Sequence, residues 1–200
     1  MIIQIAGTSG SGKSHLMRSF MKWAEEEGIP KEVNYIADSV AEKGKRGSPI
    51  GYKFGTKPKP FAHNVFVVGA YESPTGGCDT IKSISQVFAV VEGHHKQGVH
   101  VLFEGLFCMN QTRGPALAAE LGKKLVVLQL TTPLATCIAS INSRRADRGE
   151  GELANKKNTT DNYNRCTNYC NQMRNAGARV IRVSRDEALD KILELLEASP

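Results

Sequence analysis

Gly7-Thr8-Ser9-Gly10-Ser11-Gly12-Lys13-Ser14 fills every fixed position of the pattern G-x-x-x-x-G-K-[ST]. The segment follows an apolar run, Ile2, Ile3, Ile5 and Ala6, and precedes a helical pattern, the strand–loop–helix context in which such a loop cradles phosphate. Its glycines permit backbone angles that a side chain forbids and let main-chain N–H groups close around phosphate oxygens. Lys13 brings a point charge to the outer phosphates, Ser14 offers its hydroxyl to Mg²⁺, and the positive end of the next helix faces the anion. A nucleoside triphosphate site made by residues 7–14 is therefore expected, with ATP and Mg²⁺ as cofactors.

Outward from this loop, stretches rich in Val, Ile and Leu alternate with helical patterns, the signature of a parallel sheet covered by helices. The periodicity predicts strands near 2–6, 33–37, 65–69, 99–104, 125–130 and 179–183. Helices are predicted near 13–27, 81–97, 114–121, 133–147, 161–175 and 185–197. Gly28 and Gly177 serve as helix stops, Thr132-Pro133 as a cap with a first-turn proline, and Ser184 to Glu187 as a capping box. The fold class is α/β, with a mostly parallel sheet of five or six strands and helices on both faces.

The chain has 200 residues, 40% of them hydrophobic, enough for one substantial core and a single domain over 1–200. No apolar run reaches membrane-spanning length and no signal-peptide pattern opens the chain, so a soluble cytoplasmic protein without a membrane partner is expected. Five cysteines without paired CxxC spacing fit reduced thiols. The net charge of +6 favours a polyanionic partner. Much of it gathers in residues 40–61, where Lys43, Lys45, Arg46, Lys53, Lys57 and Lys59 face one acid, Glu42. That stretch fits neither period and reads as a basic insertion with a hairpin around 51–55; Lys45, Arg46 and Lys53 are its candidate substrate contacts.

In doubly wound sheets ligands bind at the carboxyl ends of the strands, which directs attention to Asp38, the segment 69–79, Glu104 and Ser184. Glu104 closes the apolar strand Val101-Leu102-Phe103-Glu104 before Gly105, as the acid of a Walker B strand does, and can hold Mg²⁺ or accept a proton. Asp79 follows two adjacent glycines and can bind or deprotonate an acceptor hydroxyl, with Tyr71 as a stacking or hydrogen-bonding partner; helix capping is the competing role for Asp79. Arg144, Arg145 and Arg148 end a helix before Gly149 and Gly151, which suits a lid over 144–160 that neutralises triphosphate charge. Ser184 is a further candidate contact to the nucleotide. The histidines lack ligand spacing, and no G-x-S-x-G elbow supports a hydrolase.

The phosphate loop, the Phe103-Glu104-Gly105 strand end, the Arg144-Arg145-x-x-Arg148 lid and the closing β-α unit together resemble small P-loop kinases of the nucleotide and nucleoside kinase group. More narrowly, Gly69-x-Tyr71 with Gly76-Gly77-Cys78-Asp79-Thr80-Ile81 resembles phage P-loop kinases of thymine hypermodification, the 5-hydroxymethyluracil DNA kinases. That resemblance implies ATP-dependent phosphorylation of the 5-hydroxymethyl group of a base within DNA, with modified DNA as partner and the host cytoplasm as location. It maps Lys13 and Ser14 to triphosphate and Mg²⁺ and the three arginines to the lid. Asp38, Asp79 and Glu104 remain rivals for the catalytic base. Gly105-Leu106 stands where many deoxynucleoside kinases carry an arginine after the strand-end acid, which counts against a free nucleoside. A nucleoside or nucleoside monophosphate kinase and, outside enzymes, a nucleotide-switched DNA-binding module are the alternatives.

Overall fold

The computed structural model describes residues 1–35, 49–55, 62–72, 77–81, 83–110, 112–151 and 153–198. Its strands are β1 (Ile2–Ala6), β2 (Lys31–Tyr35), β3 (Pro49–Phe54), β4 (Val65–Val68), β5 (His100–Glu104), β6 (Leu125–Leu130) and β7 (Arg179–Val183). The helices are α1 (Lys13–Glu26), α2 (Ile84–Lys96), α3 (Arg113–Leu121), α4 (Leu134–Asp147), α5 (Lys156–Asn175) and α6 (Ala188–Glu197).

The strands form one seven-stranded sheet in the order β2-β3-β4-β5-β1-β6-β7. β1 pairs in parallel with both β5 and β6, β4 with β5, and β6 with β7; β3 alone runs against its neighbours, β2 and β4. β1 and β5 are buried throughout and apolar apart from Gln4, His100 and Glu104, because helices cover both faces of the sheet. Successive side chains divide between those faces. Ile2, Phe66, Val101, Phe103 and Val127 pack with α2, α3 and α5, while Ile3, Ile5, Val67, Leu102 and Leu128 pack with α1 and α6. Burying a side chain such as Phe103 or Phe20 contributes about 1.5–3 kcal/mol relative to exposure.

A buried polar contact locks α5 to the central strand: Tyr169 Oη donates to Gln4 Oε1 at 2.8 Å. Gly114 on α3 leaves room for it, since a Cβ there would lie 2.3 Å from the Tyr169 hydroxyl. All five cysteines are free and buried. Among the described residues no helix is long and apolar enough to cross a membrane.

Two expectations are corrected. The hairpin around 51–55 is instead strand β3, paired on both edges, and it raises the strand count to seven. Gly51 marks close approach, not a turn: a Cβ on it would meet the Val67 carbonyl oxygen at 2.4 Å and the Phe66 ring at 2.5 Å. Helix α5 also starts at Lys156, earlier than its periodicity predicts, because the Asn155 side chain accepts from the Asn158 N–H and caps it.

Candidate active site

β1 lies between β5 and β6, so the expected phosphate loop that follows it, residues 7–14, stands beside the carboxyl end of β5. Gly10 and Gly12 have φ of 80° and 102°, in the left-handed region that only glycine adopts cheaply. Gly10 is doubly constrained, because a Cβ there would lie 2.2 Å from the Cys137 carbonyl oxygen of α4. Thr132 Oγ1 donates to the Ser11 carbonyl at 2.8 Å and ties the loop to the end of β6. Lys13 is buried, and its Nζ donates to the Thr8 carbonyl across the loop at 3.1 Å.

Ser14, in the first turn of α1, donates its hydroxyl to Glu104 Oε1 at 2.8 Å. Glu104 is buried, and loss of hydration pushes its carboxyl above the usual range against the opposing pull of Lys13 and the Ser14 hydrogen bond. Gly77 packs on this carboxylate: its φ is 122°, and a Cβ would stand 2.8 Å from Glu104 Oε1. The next residues, Cys78–Thr80, form a short 3-10 turn that exposes Asp79. The Asp79 carboxylate makes no hydrogen bond or ion pair among the described residues; Ser83, not Asp79, caps α2 by accepting from the Gln86 N–H at 3.2 Å.

These groups share a cleft of about 460 Å³ lined by Ser9, Gly10, Gly12, Lys13 and Ser14, with Asp79 and Glu104 on one side and Ser140, Ser143, Arg144 and Arg185 on the other. His15 and Arg18 complete the wall. Lys13, Arg18, Arg144 and Arg185 surround two carboxylates, a balance that favours a polyanion. Ser14 and Glu104 supply the hard oxygen donors that suit Mg²⁺. No cluster of three or more His, Cys, Asp or Glu forms a separate metal site among the described residues.

The remaining expected site residues are placed less simply. Gly7, Thr8 and Ser11 belong to the back of the loop and line a smaller cavity of about 220 Å³ against α5. Of the lid arginines only Arg144 lines the cleft. Arg145 donates to the Leu153 carbonyl at 3.0 Å, and Arg148 pairs with Glu150 at 2.8 Å. Ser184 Oγ donates to Glu187 Oε2 at 2.6 Å and accepts from the Glu187 N–H, which occupies that hydroxyl; this pair closes the turn before α6 and is not the predicted cap of the helix, which starts at Ala188 with Glu187 at its N-cap, and the neighbouring Arg185 reaches the cleft instead. Tyr71 is buried, and Arg18 Nε donates to its carbonyl at 3.2 Å, so it supports the wall from behind and presents no stacking face. Lys53 sits opposite Phe66 in β3 and beside His94 at the end of α2, away from the loop. Asp38, Lys45 and Arg46 lie outside the described residues.

Sequence reasoning missed Arg18, Arg185, His15, Ser140 and Ser143. Arg18 had a signal, since it follows Ser14 by four residues and therefore shares its helix face.

No protein-family model matches the chain. A protein of Pseudomonas phage PaMx11 named 5-hmdU DNA kinase is 36% identical over 200 residues, an alignment that covers 98% of this chain and 97% of the relative.

Proposed function

The chain belongs to the family of phage 5-hmdU DNA kinases, and from that membership we propose that it uses ATP and Mg²⁺ to phosphorylate the hydroxymethyl group of 5-hydroxymethyluracil within DNA. The observation that carries this reading is the exposed, unpartnered Asp79 in the same cleft as Lys13 and Ser14. A phosphate-binding wall thus faces a carboxylate free to receive an alcohol.

In this scheme the phosphate loop and Lys13 bind the triphosphate, and Arg144 and Arg185 contribute charge from the opposite wall. Ser14 and Glu104 would hold Mg²⁺, which when bound neutralises phosphate charge. Glu104 suits this role better than that of base because its carboxylate already points at the Ser14 hydroxyl. Asp79 accepts the proton of the hydroxymethyl group as its oxygen bonds to the γ-phosphorus; the bond from that phosphorus to the bridging oxygen breaks and ADP departs. Arg18, anchored on the Tyr71 carbonyl, stands where it can stabilise the transferring group.

Incubation with γ-labelled ATP and separate acceptors tests the reading: plain DNA, hydroxymethyluracil DNA, the free nucleoside and its monophosphate. Label is expected in hydroxymethyluracil DNA and not in plain DNA. Label confined to the nucleoside or monophosphate would make the protein a small-molecule kinase. ATP binding without transfer to any acceptor would leave a nucleotide-switched DNA-binding module.

A further inference from the structure

Asp79 also borders a second cavity, of about 240 Å³, that opens beside the phosphate cleft. Its walls are Ile81 after the 3-10 turn, Ser83, Ile84 and Val87 at the start of α2, Cys78 and Cys108, and Phe107. Burial raises the Cys108 thiol to about 12 and holds the Cys78 thiol well above its usual value, so both sulfurs remain neutral, and Ser83 and Asp79 are the polar side chains of an otherwise apolar set of lining residues. The volume lies below the range of drug-sized sites and suits a single heterocycle.

Phe107 is the unusual wall. It is 56% exposed, and Leu153 is the only other large apolar side chain that the described residues leave so open. Phe107 opens the 3-10 turn Phe107–Asn110, three residues beyond Glu104. That turn is tightly seated: a Cβ on Gly105 would lie 3.1 Å from Cys108 Sγ. One short segment thus fixes both the carboxylate that faces Ser14 and an aromatic face at the mouth of the adjoining cavity. An exposed phenylalanine held in this way has the properties of a stacking platform, since every base presents a π face and stacking tolerates any sequence.

We propose that this cavity is the acceptor pocket, where a pyrimidine extruded from the DNA stacks on Phe107 and directs its 5-substituent past Asp79 into the phosphate cleft. The proposal rests on the kinase reading above and adds a base-flipping step to it. Ile84 and Val87 would flank the ring, and Asp79, the one group common to both cavities, would mark the junction where the hydroxymethyl oxygen meets the phosphoryl group.

The test compares the parent protein with Phe107→Ala, Phe107→Trp and Ile84→Trp on single- and double-stranded hydroxymethyluracil DNA. Phe107→Ala should raise the KM for DNA by about 5- to 150-fold, the range that base–aromatic stacking commands on alanine substitution. The KM for ATP should stay unchanged and Phe107→Trp should restore the KM for DNA. Ile84→Trp, which fills the cavity at a half-buried position, should raise the KM for DNA without changing that for ATP. A 2-aminopurine placed beside the modified base should brighten when the parent protein binds without ATP, and brighten less with Phe107→Ala. Thermal unfolding of each variant checks that the fold is kept. If the parent phosphorylates hydroxymethyluracil DNA and Phe107→Ala does so with the same KM and the same 2-aminopurine signal, the pocket is wrong and the kinase reading stands. If the parent transfers no phosphate to such DNA, the kinase reading fails and the pocket loses its occupant.

Discussion

Replacing Glu104 by Gln should stabilise the resting protein and disable it in one step. The substitution keeps the shape of the side chain, and the Ser14 hydroxyl can donate to the amide oxygen as it now does to Oε1 at 2.8 Å. What disappears is a buried charge whose loss of hydration outweighs the help it receives from Lys13 and Ser14. Relief of such a cost at a functional site typically yields about 0.5–2 kcal/mol. For a chain of this size that corresponds to a Tm increase of roughly 1–8 °C. The sign depends on pH in a definite way. The folded protein binds the Glu104 proton more tightly than the unfolded chain, so this residue costs little below the ordinary carboxylate range and progressively more as pH rises through its raised folded value. The gap between Glu104→Gln and the parent should therefore be small near about pH 4.5 and widest near about pH 8, windows set by the ordinary carboxylate pKa. Calorimetric melts at both pH values check this, and turnover of the same samples should fall by about 10²–10⁴-fold. A variant less stable than the parent at the higher pH would show that the carboxylate is a net stabilising acceptor, and undiminished turnover would remove it from the site.

Lys13→Ala should lower turnover by at least about 10²–10³-fold while circular dichroism and Tm stay near the parent values, because its charge acts on phosphates developing negative charge. Gly10→Ala should strain the loop by about 1–3 kcal/mol and, by pressing on the Cys137 carbonyl, weaken ATP binding in calorimetric titration more than it lowers Tm. Asp79→Asn should reduce the rate far more than the affinity for ATP, whereas a parallel loss of both would return Asp79 to a structural role. Alanine at Lys45 and Arg46 should flatten the salt dependence of DNA binding, each lost phosphate contact reducing the log-log slope by about 0.7–0.9; an unchanged slope would dissociate these residues from the polymer.

The conformation of the loop at residues 7–14 was legible because it is local: the glycines that the sequence places there carry the positive φ that Gly10 and Gly12 adopt. Glu104 was legible because an apolar strand that ends on an acid is itself a pattern. Strand β3 was hidden although Ile50, Tyr52 and Phe54 alternate along it, because Pro49 and Gly51 between them read as turn residues; Tyr52 and Phe54 are fully buried. Gly51 read as a turn residue from sequence, and only the Phe66 ring lying over it reveals the other reason for a glycine. Tyr71 was named as a stacking or hydrogen-bonding partner, yet its position in the core depends on α1 packing across β4 and β5, a non-local fact. Ser184 and Arg185 differ by one residue, and periodicity alone does not resolve which of two neighbours at a strand end turns toward the cleft.

The reversed direction of β3 has a consequence for how such an enzyme can diversify. Tyr35 ends β2 opposite Pro49, where β3 begins, and Gly51 pairs with Val68 at the end of β4 that leads toward Asp79. The end of β2 and the start of β3 therefore lie on the same rim of the sheet as Glu104, each clamped by strand pairing. A connection held in this way can gain, lose or exchange residues without shifting a single register in the sheet. Doubling its length costs only about 0.6 kcal/mol in closure entropy. The sheet thus keeps its registers independent of the length of chain between β2 and β3, on the same rim as the candidate site for phosphoryl transfer.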